Sequence, residues 1–149
     1  MISTQVQIVM ASHVNGYNRL FGGQLMAWID VTGAVAARRH AGNEVTTVTV
    51  DNLEFLAPAK LNDTIVLDAM VTWTGNTSIE VRVDTYVEKL NGEQSRINRA
   101  YMVFVAIDKD GHSTHVPIFT PISSEEKEEW EGALKRREIR ISRKLLLSI

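Results

Sequence analysis

Residues 22 to 37, GGQLMAWIDVTGAVAA, contain only three polar side chains, Gln24, Asp30 and Thr32. The run extends to about His40 and is read as one helix of roughly 27 Å at 1.5 Å per residue, stopped by Gly42-Asn43. A helix apolar on nearly every side is covered by neighbours rather than laid on a surface. The remaining chain therefore has to supply a wrapping.

What surrounds the helix is strand-like. A first strand is expected around residues 4 to 11, and EVTTVTVDNLEFLAP, rich in β-branched residues, continues to Pro58. TIVLDAMVTWTG then places Ile65, Leu67, Ala69, Val71 and Trp73 on one face. In IEVRVDTYVEK, Ile79, Val81, Val83, Thr85 and Val87 alternate with Glu80, Arg82, Asp84, Tyr86 and Glu88, the pattern of a half-buried antiparallel strand with one wet face. Asn91-Gly92 turns the chain into SRINRAYMVFVAID, which DKDG ends. The order β-α-β-β-β-β implies an α+β fold: an antiparallel sheet of about five strands wrapped round one long central helix. One such sheet covers only part of the helix, so a second subunit is expected to complete the core, giving a homodimer at least.

Residues 1–120 are taken as this domain and residues 121–149 as a C-terminal helix with a tail packing on the domain or on a partner subunit. SSEEKEEWEGALKRREIRISRKLLLSI opens with a capping box from Ser123 to Glu126, and its acids precede its bases as the helix dipole favours. A solvated helix is preferred over a nucleic-acid arm. The net charge of −2 gives no electrostatic case for nucleic acid or an anionic membrane, and no apolar run is long enough to span one. The chain has no cysteine, which removes disulfides, thiolate metal sites and a cysteine nucleophile. No signal peptide is evident, so a cytoplasmic protein is expected.

The helix poses the chemical question. At about 100° per residue, Asp30 shares a side with Gly23, Ala27, Gly33, Ala34 and Ala37. This stripe of small residues admits another backbone or a ligand. A carboxylate retained there needs partners or a task, because burying it alone costs several kcal/mol. Helix crossing and catalysis both satisfy that requirement. Gly22 and Gly23 open the first turn, whose N–H groups lack internal partners and could stabilise an oxyanion, or they simply permit close packing. Asn15 and Asn18 precede the helix in a turn. His13, His40, His112 and His115 show no metal-ligand spacing, and no phosphate loop or G-x-S-x-G elbow is present.

The run N15-x-x-N-x-x-F-G-G-x-x-M-x-x-I-D30, followed by VTVDNLEFLAPAKLND, GNTSI and VAIDKDG in that order, resembles the hotdog-fold acyl-CoA thioesterases over residues 8 to 117. The chain departs from that family at Asn18 and Asn62, where glycine is usual; for Asn18, asparagine's tolerance of a left-handed backbone lets the turn survive. The resemblance implies a hotdog fold, dimers often assembled into tetramers or hexamers, and hydrolysis of an acyl-CoA thioester to a free acid and CoA. It implies that Asp30 is the general base on a water, or a nucleophile, and that Asn15, from the opposite subunit, orients water or carbonyl. Gly22 and Gly23 would polarise the carbonyl, and Thr77 and Ser78 would contact CoA. No metal or other cofactor is called for, CoA being part of the substrate. Phe21, Met26 and Phe55 are candidates for closing the acyl pocket. A non-catalytic acyl-CoA or fatty-acyl sensor is the alternative; a dehydratase would need a catalytic histidine the helix lacks before His40.

Overall fold

A computed structural model describes residues 1–51 and 53–147. Asn52, inside the second strand-like segment, and Ser148 and Ile149 of the tail lie outside the described residues. The order is β1 (Ser3–Ile8), α1 (Gly22–Ala41), β2 (Glu44–Asp51), β3 (Thr64–Thr74), β4 (Ser78–Glu88), β5 (Gln94–Ile107) and α2 (Ser124–Leu147). All strand pairs are antiparallel in one sheet ordered β1-β3-β4-β5-β2. The element order expected from the sequence is the one observed.

The sheet curls round α1, which packs against all five strands. Leu25, Trp28, Ile29, Ala36 and Ala37 enter a core with Ile65, Leu67, Val81, Val83, Met102 and Phe104. Gly33 permits the tightest approach: a Cβ there would lie 2.8 Å from Met102 Sδ and 3.2 Å from the Phe104 ring. α1 ends at Gly42, whose φ of 66° closes a left-handed cap with its N–H donating to the Arg38 carbonyl.

Four expectations need correction. The first strand stops at Ile8, and Ala11–His13 form a single 3-10 turn. The second strand stops at Asp51, and residues 53–58 run as irregular chain. A bulge between Val71 and Trp73 breaks the alternation of β3: Trp73 pairs with Glu80 and turns to the outer face, where Arg137 of α2 approaches its ring.

The fourth correction concerns the supposed wet face of β4. Glu80, Arg82 and Asp84 are buried: α2 lies across the first two, and Arg82 and Arg99 close on Asp84. Arg136 and Arg140 donate to Glu80 at 2.8 and 2.9 Å, and Thr72 Oγ1 donates to it at 2.6 Å. Arg82 donates to Glu125 and Glu129, both at 2.9 Å, while Arg99 grips Asp84 in a two-pronged contact at 2.7 and 3.0 Å. Burial alone would lower the Arg82 pKa; the hydrogen bonds to Glu125 and Glu129 and the charge of Asp84 overcome it and raise the value. Tyr101, under the same helix, donates to Glu129 at 2.9 Å and is pushed up to about 12, first by burial. The capping box holds: Glu126 N–H donates to Ser123 Oγ at 3.1 Å, and Ser123 N–H to Glu126 Oε1 at 2.9 Å.

Candidate active site

α1 is not covered all round. Its apolar sequence predicts burial, yet Gly22, Gly23, Met26, Ala27 and Val31 are exposed in the single chain. The small-residue stripe divides accordingly. Gly33 and Ala37 meet the sheet, whereas Gly23 and Ala27 lie open, with Asp30 half-buried at the boundary. The reason is geometric, since five strands curl over one side of a helix and stop. Thr47 of edge strand β2 reaches α1 at that margin, whereas its exposed neighbour Val48 opens onto the groove beside α2.

At that boundary Thr47 Oγ1 donates to Asp30 Oδ1 at 2.6 Å. The bond fixes one carboxylate oxygen of a side chain that stays half-exposed. Thr47 was not legible as a site residue: in EVTTVTVD it is one of several threonines suited to any strand. Only the packing of β2 beside α1 singles it out.

The start of α1 has a different construction. Phe21 is the N-cap, with no side-chain cap bond. Gln24 and Leu25 N–H groups donate to the Phe21 carbonyl at 3.1 and 3.2 Å. The Gly22 and Gly23 N–H groups have no acceptor among the described residues. A Cβ on Gly22 would meet nothing within 4 Å, while one on Gly23 would strike the Phe21 ring at 2.7 Å. The first turn therefore presents bare donors at the positive end of a twenty-residue helix.

Asn15 anchors the turn leading there. Its Oδ1 accepts from the Tyr17 and Arg19 N–H groups at 2.9 and 3.3 Å. With the oxygen so used, the side-chain NH2 has no acceptor among the described residues and is available as a donor. Asn18 takes a φ of 55° and Asn62 one of 71°, so both asparagines adopt the left-handed conformation that a glycine would supply. The Leu61 N–H donates to the Asn18 carbonyl, and Leu20 N–H to that of Ala59, tying the turn to the segment after Pro58.

Between these segments lies a cleft of about 470 Å³ containing Asn15, Arg19, Phe21, Gly22, Phe55 and Leu56 among its walls. It unites Asn15 with Gly22 and with two of the bulky candidates for the acyl pocket. Met26 faces the open side of α1 instead. Asp30 is outside this cleft, seven residues and about 10 Å along the axis from Gly23. Thr77 and Ser78 lie at the β3–β4 hairpin. Ser78 pairs with Val105, and Val105 with Thr46, which puts the hairpin level with Thr47 and two strands away, about 10 Å. His112 and His115 are exposed loop residues, as expected.

Residues 17–92 match the profile of the thioesterase superfamily. The chain is 37% identical over 131 residues to an uncharacterized acyl-CoA thioester hydrolase of Bacillus subtilis, covering 87% of this chain and 76% of that one. It is 31% identical over 147 residues to rat acetyl-coenzyme A thioesterase, covering 96% of this chain but 26% of that protein, so it spans about a quarter of the rat enzyme. An acyl-CoA hydrolase from Staphylococcus aureus, solved with butyryl coenzyme A, coenzyme A and coenzyme A disulfide, superposes with a TM-score of 0.88 at 34% identity, covering 97% of this chain and 88% of that one. A hexameric acyl-CoA thioesterase gives the same TM-score at 34% identity over 95% of this chain and 92% of that one. In the S. aureus enzyme an asparagine, an aspartate and a threonine have each been replaced by alanine. The aspartate lies 15 residues after the asparagine and the threonine 17 after the aspartate, the spacings of Asn15, Asp30 and Thr47 here.

Proposed function

This chain belongs to the thioesterase superfamily, and from that premise we propose that the open face of α1 is where it hydrolyses acyl-CoA thioesters to free acid and CoA. It is a thioester hydrolase acting on acyl-CoA, and the geometry supports the following roles for its residues. The observation that carries the reading is the Thr47–Asp30 hydrogen bond of 2.6 Å at the margin of an uncovered helix face.

Thr47 holds one oxygen of Asp30, and the other takes a proton from a water that attacks the thioester carbon. The carbonyl oxygen becomes an oxyanion, stabilised by the Gly22 and Gly23 N–H groups and the helix dipole. The free NH2 of Asn15 donates to the same oxygen, which sharpens its role from orienting water or carbonyl to polarising the carbonyl. Collapse of the tetrahedral intermediate expels the CoA sulfur, which recovers the proton from Asp30.

One chain cannot offer both halves of this machinery to one carbonyl, because Gly23 and Asp30 lie about 10 Å apart along α1. An antiparallel meeting of two α1 helices about a two-fold axis removes the difficulty, setting the N-terminal turn of one against Asp30 of the other. Exposed Met26 and Val31 are the apolar surface such a pairing would cover. The working unit is thus a homodimer with two sites at its interface. Further assembly to a hexamer, the state of the hexameric thioesterase it resembles, would build on that pair. Thr77 and Ser78, within reach of a pantetheine arm, contact CoA. No metal or redox cofactor enters the scheme, and use of acyl-CoA supports the reading of a cytoplasmic protein. Among the described residues no helix is long and apolar enough to cross a membrane.

Asp30→Asn should lower kcat on butyryl-CoA by about 100-fold or more with an unchanged melting temperature; a near wild-type kcat would remove Asp30 from the chemistry and leave it as a helix-crossing residue. A complementation experiment tests the shared site. Asn15→Ala alone should lose most of its kcat with little lost stability. When it is unfolded and refolded together with Asp30→Asn, hybrid dimers should regain activity, approaching roughly a quarter of the wild-type rate on random pairing. Recovery of no activity would place both residues in one chain's site.

A further inference from the structure

Resting on that reading and deepening it, we propose that Arg19, with Lys60 beside it, holds an anionic group of the acyl-CoA substrate: a phosphate of the CoA moiety or a carboxylate carried by the acyl chain. The chain carries a net charge of −2, so its overall field does not draw in a polyanion, and attraction has to come from local cations. Much of the basic character of α2 is spent on the protein itself. Arg136 and Arg140 are bound to Glu80, and Arg143 to Asp51.

Arg19 differs from these in place and in partners. It lines the same cleft as Asn15 and Gly22. Its backbone is fixed on the same turn: its N–H donates to Asn15 Oδ1 at 3.3 Å, and its carbonyl accepts from the Asn15 N–H at 2.9 Å. An anion held by this guanidinium would therefore be registered against the carbonyl-binding groups by a few rigid bonds.

Lys60 supplies the second observation. Arg19 and Lys60 form an isolated antiparallel bridge. Residues directly opposite in such a pair project to the same face, with Cβ atoms about 5 Å apart, and like charges there repel. Both are exposed, and neither side chain has an ion pair or hydrogen bond among the described residues. Asp63, three residues after Lys60, does not relieve the repulsion, since its Oδ2 accepts from the Lys60 backbone N–H at 2.8 Å instead of pairing with the ammonium. An anion seated between the two cations would. The planar fork of an arginine suits carboxylate and phosphate alike.

Three substrates separate the two sources: butyryl-CoA, butyryl-pantetheine, which lacks the phosphates, and succinyl-CoA, which adds a carboxylate to the same four-carbon chain. For Arg19→Met, a fall of roughly tenfold or more in the kcat/KM ratio of butyryl-CoA to butyryl-pantetheine assigns the phosphate. The same fall in the ratio of succinyl-CoA to butyryl-CoA assigns the acyl carboxylate. Lys60→Met should move the same ratio less, and Arg19→Lys should restore part of it. Both ratios staying within twofold of wild type in the Arg19→Met, Lys60→Met double variant would overturn the proposal. Affinity for free CoA against pantetheine, measured by calorimetry, reports on Arg19 without turnover. Absence of cleavage by the wild-type protein would thus count against the hydrolase reading, while an unchanged affinity ratio would count against the role of Arg19.

Discussion

The two faces of the sheet are held by opposite means. On the inner face α1 buries eight of its twenty residues, all apolar or small except Thr32. On the outer face α2 runs for 24 residues and buries one side chain fully, Ala133. Its grip comes from arginines and glutamates closing over Glu80 and Arg82. The same strand feeds both layers, Val81 and Val83 inward, Glu80 and Arg82 outward. Apolar contact is lost when water enters, whereas the charges of the outer layer are well solvated once uncovered. The inner layer should therefore behave as the fold itself, and the outer layer as a helix that can leave without it.

The largest effect should come from Leu25→Ala. Leu25 is fully buried in the core, and its truncation should cost about 3–5 kcal/mol in denaturant unfolding of the whole domain. Glu80→Ala removes the shared acceptor of Arg136 and Arg140, at a cost of roughly 1.5–3 kcal/mol. That loss should appear as faster amide exchange confined to α2, with β3 to β5 still protected. If exchange instead rises equally through the sheet, the two layers are one cooperative unit and the contrast drawn here fails.

The same contrast explains how much was legible in the sequence. The α1 run, the strand order and the hairpins follow from local patterns, and the glycine pair and Asp30 stand out because they violate a buried helix's usual composition. Alternation in β4 sorted its residues correctly into two faces but could not say that a helix 40 residues later covers the polar one. That covering depends on tertiary pairing of charges, for which periodicity carries no signal. Trp73 was misplaced because the extra residue of the Thr72 bulge leaves no mark in a β-branched stretch. At the site, Asn15 and Asp30 came from the family likeness and Asp30's stripe from helix geometry, while Thr47 needed the observed contact between β2 and α1. The open half of α1 was foreseeable only in the general sense that one sheet cannot surround a helix.

The smallest effect expected is a dependence on alkaline pH that belongs to the outer layer alone. Tyr101 lies beneath α2 with Arg136 3.7 Å above its ring, and burial is the main reason that its hydroxyl is pushed up to about 12. A phenol whose folded pKa exceeds its unfolded value of about 10 stabilises the folded state fully below pH 10. That contribution falls as the pH climbs from 10 through 12, because the unfolded chain loses the proton first. Wild-type protein should therefore lose a few degrees more in melting temperature between pH 9 and 11 than Tyr101→Phe, which has no proton to lose there. Equal losses in the two proteins would mean that Tyr101 titrates as it does in water, and that α2 does not seal the face it covers.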